Sequence, residues 1–420
     1  MDGKLVFVNR YFHPDQSATS RMLCDLAFRL ARAGLSVAVV TSRQLYNDPR
    51  ANLPAESVVD GVVIHRVATA TRGRSNLLGR ALDYASFYVA AYTKLLQILR
   101  RGDVVVAKTD PPLMSIPVAS AARWKGAVLV NWLQDLFPEV AAVLTPGLIP
   151  RWFEPVLLAA RDRSLRRAAM NVVLGKRMHR RLITRGIDSD RIITVANWSD
   201  IHSVAPLPTE QSTTRRTLGL EGRFVVGYSG NFGRAHEFET LLGAARLLRE
   251  DPRFVFLMTG TGAKAGSLRE AVKRERLENF VFQDFRPAEW LGDSMAAADV
   301  HLVSLLPALE GLIVPSKVYG ILAAGRPPVF IGDPQGDVAD LIQERDCGVV
   351  VAVGDSEGLV RQLQALHRDR FRLESMGIRA RQLAVERFSG DQATAEWLKF
   401  LQALAPPPRL LTKVRVKQAQ

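Results

Sequence analysis

Cysteine is nearly missing: only Cys24 and Cys347 occur in 420 residues. Two thiols build no disulfide framework, and such usage fits a reducing compartment. No uncharged apolar run reaches the ~18 residues a spanning helix needs. The most apolar helical stretch, 81–99, is broken by Asp83 and Lys94. Met1-Asp2-Gly3-Lys4, ahead of an apolar run at 5–8, lacks the pattern of a secretory leader. Attachment to a membrane surface stays open. Glycine is absent from 9–20, just after that first run, which argues against the fingerprint of a nicotinamide-dependent oxidoreductase. Histidines are scattered without ligand spacing, so no metal is expected. Asp188-Ser189-Asp190 follows Gly186-Ile187 and reads as a solvated turn. Basic and aromatic residues do not interleave along the strands, which argues against nucleic acid as a partner.

What remains is ordinary for a globular chain: 47% hydrophobic, 23% charged, and long enough for two domains. The formal charge of +14 is unevenly spread. Residues 1–200 carry 28 basic against 16 acidic side chains, 201–405 carry 24 against 26, and 406–420 hold four basic and no acidic ones. An anionic partner is therefore expected on the first half and the tail.

Short, continuously apolar runs recur at 5–8, 37–41, 62–67, 104–107, 128–132, 172–174 and 192–196. Six more follow at 224–228, 254–258, 280–282, 301–305, 329–331 and 349–351. Such runs suit strands covered on both faces of a parallel sheet, and amphipathic stretches such as 20–33 lie between them. The expected fold is α/β, twice over. Pro206 and Pro208, in weakly periodic sequence, mark a linker with the break near residue 205.

Three segments carry candidate chemistry. Ser229-Gly230-Asn231-Phe232-Gly233-Arg234-Ala235-His236 follows a strand and precedes a helix, as an anion-binding turn does. A plain tight turn reads equally well. Thr259-Gly260-Thr261-Gly262-Ala263-Lys264 closes the next strand, either flanking a ligand or only packing closely. In Leu309-Glu310-Gly311-Leu312-Ile313-Val314-Pro315-Ser316-Lys317, a loop opens a helix with a lysine in its first turn. A cation there opposes the helix dipole unless an anion is bound or water screens it.

The joint order of these segments, with Ala323-Ala324-Gly325-Arg326-Pro327, resembles the retaining, nucleotide-sugar-dependent glycosyltransferases of GT-B fold, group 1 and family 4 type. The likeness is strongest to the bacterial surface-polysaccharide subgroup of colanic acid and O-antigen type. In the first half it extends to Tyr11-Phe12-His13-Pro14-Asp15, Asp135-Leu136-Phe137-Pro138-Glu139 and Asn197-Trp198-Ser199-Asp200. The resemblance implies two Rossmann-like, doubly wound domains facing across a cleft. These are residues 1–205, joined by a returning helix at 388–405, and residues 206–387, with a basic tail at 406–420. The second domain would bind the donor through Gly230, Asn231, Gly233, Arg234, Gly260, Gly262, Arg286, Ser316 and Lys317. The catalytic candidates are Glu310, on the donor sugar, and Asp135, on the opposite wall or else a turn residue. His13, Gln16 and Ser17 are placed on the acceptor side.

Departures from the family pattern are visible as well. Gly320 occupies the second position of the Glu-x7-Glu pair, and Asn231 and His236 stand where the family has Arg and Lys. Arg234 and Lys317 are then expected to supply the positive charge. The implied activity is transfer, without cofactor or metal, from a nucleotide-sugar, UDP preferred. The acceptor would be a polyprenyl-diphosphate-linked sugar or a glycan, and the protein would lie at the cytoplasmic face of an anionic plasma membrane. The stripe at 77–99 would be core or membrane-inserting, with basic clusters at 161–167 and 176–181 beside it. A nucleotide-sugar 2-epimerase of the same architecture is the alternative, and a non-enzymatic basic binding protein a further one.

Overall fold

A computed structural model describes residues 3–71 and 77–404; Arg72, Arg74 and the tail 406–420 lie outside the described residues. The first sheet holds β1 (Leu5–Val8), β2 (Val37–Ser42), β3 (Glu56–Val59) and β4 (Val62–Val67). It continues with β5 (Val104–Lys108), β6 (Val128–Trp132), β7 (Met170–Val173) and β8 (Ile192–Thr194). Their spatial order is β3-β4-β2-β1-β5-β6-β7-β8, parallel except for β3 against β4. The second sheet comprises β9 (Phe224–Ser229), β10 (Phe254–Thr259), β11 (Phe280–Gln283), β12 (Val300–Ser304), β13 (Pro328–Gly332) and β14 (Val349–Ala352). It is wholly parallel, in the order β11-β10-β9-β12-β13-β14. The central strands are buried along their length, which explains why they read as unbroken apolar runs.

Helices in the first domain are α1 (Ala18–Arg32), α2 (Leu77–Ile98), α3 (Ser115–Lys125), α4 (Glu139–Leu144), α5 (Glu154–Arg167) and α6 (Lys176–Thr184). The second carries α7 (Thr213–Thr217), α8 (Glu239–Leu247), α9 (Ala265–Arg274), α10 (Leu291–Ala296) and α11 (Lys317–Ala323). After these come α12 (Asp337–Arg345), α13 (Ser356–Arg368), α14 (Arg370–Arg387) and α15 (Gly390–Leu404).

On one face of the first sheet α1 buries Leu23, Leu26, Ala27 and Leu30, a three-and-four spacing that puts them on one side of a helix. The last helix, α15, returns to the same face. There Trp397 lies 5.0 Å from the Trp132 ring and 6.0 Å from Phe7. On the other face α2, α3 and α5 form a layer. Phe87, Ala91 and Leu95 recur every fourth residue of α2 and are fully buried, so the apolar stripe packs largely into the core; Leu82 and Val89 remain outside.

The basic clusters are likewise divided by the fold. Arg161 is buried, bound to Glu139 and Asp162, while Arg177 and Arg181 reach Glu310 in the second domain. These three are therefore not available to a membrane. Across the seam Leu136, Met178 and Leu182 join Leu305, Leu312 and Val318 in one apolar cluster. Each such side chain, fully buried, contributes about 1.5–3 kcal/mol. The linker belongs to the second body. Arg381 donates to Ile201 O and Val204 O, both at 2.9 Å, and Arg326 donates to Leu207 O.

Candidate active site

Both sheets turn their carboxyl ends toward the cleft, where parallel α/β sheets hold ligands. On the second domain two glycine turns interlock behind β9 and β10. Gly230 N–H donates to Thr259 O at 3.0 Å, Phe232 N–H to Thr261 O at 2.8 Å, and Lys264 N–H to Phe232 O at 2.9 Å. Gly260, at φ +133°, lies so close that a Cβ there would stand 2.1 Å from Gly230 O. Glycine is required by that approach and by the backbone angle together.

Lys317 opens α11 and aims at this turn. Its ammonium sits 3.6 Å from the centroid of the Tyr228 ring and has no hydrogen-bond partner among the described residues. A Cβ on Gly230 would stand 3.3 Å from Nζ. Burial pushes its pKa down to about 7. A ring face satisfies none of the three N–H donors, so an anion at Gly230 would meet a charge held ready for it. Beside it His236 Nδ1 lies 2.6 Å from Ser304 O; a carbonyl only accepts, so Nδ1 bears the proton. Burial, with Lys317 and Lys264 nearby, takes its pKa down to about 4 and keeps the ring neutral.

Lys264 Nζ donates to His236 O at 2.6 Å, adding a second cation to this wall. The sequence reading passed over it, although Gly-x-Gly-Ala-Lys displays it. The other candidates are divided. Asn231 lies against Gly262, a Cβ on which would stand 2.3 Å from Asn231 Oδ1; Gly233 O accepts from His236 N–H at 3.2 Å. Ser316 occupies the N-cap position of α11 without a side-chain bond to the helix. Arg234 is exposed and spans the cleft, donating to Thr145 Oγ1 at 3.2 Å after α4. Arg286 does not join the turn. It stacks 4.1 Å from the Trp290 ring centroid and pairs with Asp293 at 3.3 Å, so its charge is consumed near α10.

The opposite wall is built behind β5 and β6. Asp135 has a buried carboxylate whose Oδ1 lacks a hydrogen-bond partner among the described residues. Desolvation above all raises its pKa to about 6, with Asp110 adding to it and Thr109 and Lys108 opposing. Lys108, which closes β5, is 1% exposed. Its Nζ donates to Thr19 O at 2.6 Å and lies 4.3 Å from the Trp132 ring centroid. Burial brings its pKa down to about 7, with Asp110, Cys24 and Asp135 pulling upward. The sequence reading missed Lys108 as well; its signal was a lysine at the carboxyl end of an apolar strand.

Backbone pairing brings the two walls together. Asp135 bridges Ile313 in antiparallel fashion, and Leu136 N–H donates to Leu312 O at 3.0 Å. Glu310, three residues before Ile313, is 8% exposed. Its Oε1 accepts from Asp337 N–H at 2.8 Å and lies 3.8 Å from Arg177 Nε. Burial raises its pKa. Glu310 is thus tied to the start of α12, and Oε2 is the oxygen without a hydrogen bond among the described residues. On the β1–α1 loop the three acceptor-side candidates differ. The His13 ring packs edge-on against Phe28 at 5.9 Å, and Ser17 Oγ donates to Asp15 Oδ1 at 2.5 Å. Gln16 is exposed, with only a long 3.5 Å contact to Pro14 O. His13 and Ser17 are used to shape the loop. Among the described residues no three His, Cys, Asp or Glu side chains gather as a metal would require.

Two parallel α/β domains with strand carboxyl ends on a common cleft define a protein of the GT-B class, a fold shared with solved glycosyltransferases. The chain belongs to the glycosyltransferases: residues 17–198 match the glycosyl transferase 4-like domain, and 223–369 match glycosyl transferases group 1. It is 28% identical over 304 residues to WbjE of Pseudomonas aeruginosa, assigned as a glycosyltransferase, covering 70% of this chain and 73% of that one. It is 27% identical over 283 residues to WcaI of Escherichia coli K12, assigned to colanic acid biosynthesis, covering 66% and 69%. The fold matches HepE of Anabaena, solved with UDP-glucose, at a TM-score of 0.70 and 18% identity over 95% of this chain and 99% of that one. WaaG, a glycosyltransferase of lipopolysaccharide biosynthesis, matches at 0.67 and 16% identity, over 93% and 99%.

Proposed function

We propose that this glycosyltransferase moves a sugar from a UDP-sugar, with retention and without a metal, onto a lipid-linked or polysaccharide acceptor of bacterial surface-polysaccharide synthesis at the cytoplasmic membrane face. The observation that carries the donor assignment is Lys317, a buried ammonium without a hydrogen-bond partner among the described residues, aimed at the Gly230 turn. In this reading the donor diphosphate lies on the Gly230 and Gly260 turns, and Lys317 and Lys264 neutralise the charge that grows on it as it leaves. Arg234 closes over it from the cleft mouth. Glu310 offers Oε2 to a hydroxyl of the donor sugar.

Retention needs no protein nucleophile, because the leaving diphosphate takes the proton of the hydroxyl attacking on the same face. Asp135 orients that hydroxyl, and its raised pKa keeps it ionised only above about pH 6. A UDP-glucose-bound structural neighbour supports the choice of UDP over GDP. Calorimetric titration with UDP and GDP tests the donor side. Micromolar UDP binding that Lys317→Ala weakens is expected, and equal affinity in both proteins would overturn the assignment. A screen of UDP-sugars against lipid-linked acceptors, with the anomeric product read by NMR, tests transfer and retention.

A further inference from the structure

Trp152 and Phe153 stand immediately ahead of α5, with ring centroids 5.5 Å apart, and Trp152 is 77% exposed. Val156, one turn further on, is 55% exposed. Ala159, Arg163, Arg166 and Arg167 continue the outward face at helical spacing, all exposed. The face therefore changes along one helix from aromatic and apolar to arginine-rich. Because α5 leads into β7 of a parallel sheet, it runs against the strands. Its aromatic end thus lies toward the carboxyl ends, at the cleft, and its arginines toward the far edge. The loop that carries Trp152 follows Thr145, the residue that Arg234 meets across the cleft.

Charge decides what covers this face. The nearby carboxylates Glu139 and Asp162 are taken by Arg161 and Arg185, and Glu154 is half-buried in the first turn of α5. Among the described residues Arg163, Arg166 and Arg167 have no carboxylate partner. A second copy of the chain, docked on this face by twofold symmetry, would bring three more arginines into the interface and no free carboxylate to balance them. An anionic bilayer offers phosphates to the arginines and an acyl boundary to the aromatic end.

We propose that the outer face of α5 docks the enzyme on an anionic lipid leaflet, with Trp152, Phe153 and Val156 entering the headgroup–acyl boundary. The surface rests on the lipid-linked acceptor reading and places the cleft mouth beside the leaflet in which such an acceptor would be anchored.

Sedimentation of the full chain with vesicles of phosphatidylcholine, or of phosphatidylcholine with phosphatidylglycerol, at low and high salt, tests it. At least tenfold stronger partitioning onto the anionic vesicles is expected, weakening with salt. The variant W152S/F153S/V156S is expected to lose at least tenfold, and R163Q/R166Q/R167Q to lose the preference for phosphatidylglycerol. UDP titration of the same variants should be unchanged, which separates this surface from the donor site. No partitioning by the unaltered protein, or equal partitioning by the triple apolar variant, overturns the proposal. So does a monomer–dimer equilibrium that this variant abolishes without any vesicle binding. Absent UDP binding with vesicle binding intact would instead remove the donor assignment and leave the surface standing.

Discussion

Each domain buries one lysine against an aromatic ring at the cleft end of its sheet, and the two lysines are not alike. Lys108 lies over Trp132, donates to Thr19 O, and has Asp110 and Asp135 for neighbours. Lys317 lies over Tyr228 and has no hydrogen-bond partner among the described residues. Burial takes both pKa values down to about 7. The same depression therefore has two meanings. Lys108 completes an internal set of charges that holds Asp135, whereas Lys317 completes a set only when an anion arrives. The chain's basic surplus plays no part in this contrast, for the more basic domain carries the lysine that is already satisfied.

The contrast is broken most sharply at Asp135. Asp135→Asn is expected to lower kcat by about 100-fold with UDP affinity unchanged, since misplacing a reacting group costs ~10²-fold. Steady-state kinetics beside calorimetry would show the split, and a matching loss of UDP affinity would deny it. Lys108→Met should cost about 1–3 kcal/mol in urea unfolding, because the buried Thr19 carbonyl loses its donor. In the protein that still folds, Asp135 should titrate higher, so the acid limb of the pH–rate profile moves above pH 6.

Lys317→Ala should weaken UDP about 10–100-fold, the worth of a hydrogen bond to a charged group, without the stability loss of Lys108→Met. The smallest effect is the pH dependence of UDP binding. A bound diphosphate favours the ammonium and so raises the Lys317 pKa. Affinity should be flat below pH 7 and fall by up to tenfold per unit above it, a slope that Lys317→Ala removes. The same depressed pKa makes the sign of its stability effect definite. The unfolded chain holds this proton up to about pH 10.4, so the lysine's contribution to stability rises between pH 7 and that value.

Much of this arrangement was legible in the residues, for reasons that also mark where reading stopped. Central strands are apolar on both faces and announce themselves. The edge strand β3 went unread, because Glu56-Ser57-Val58-Val59 alternates half-buried and exposed positions against one antiparallel neighbour. Lys317 was visible as a misfit with its own helix dipole. Lys108 was not, since its partner Thr19 lies 89 residues away and an apolar strand ending in lysine looks like an ordinary strand end. Arg286 misled for the complementary reason. It follows the strand that flanks the glycine turns, yet a carboxylate and an indole seven and four residues on draw it elsewhere. Local sequence shows what a residue lacks; only the fold shows which distant group supplies it.

The return of α15 to the first sheet has a consequence in time. Trp397, Phe400 and Leu401 belong to the core around Phe7 and Trp132, but they are synthesised some 200 residues after that sheet's last strand. At roughly 5–20 residues per second, the sheet waits on the order of 10–40 s at the ribosome with that face covered by α1 alone. The second domain, lying wholly between β8 and α15, meets no such delay. The half made first is thus the half finished last, and a stalled or shortened message would release an exposed tryptophan cluster, a target for chaperones, rather than a folded first domain.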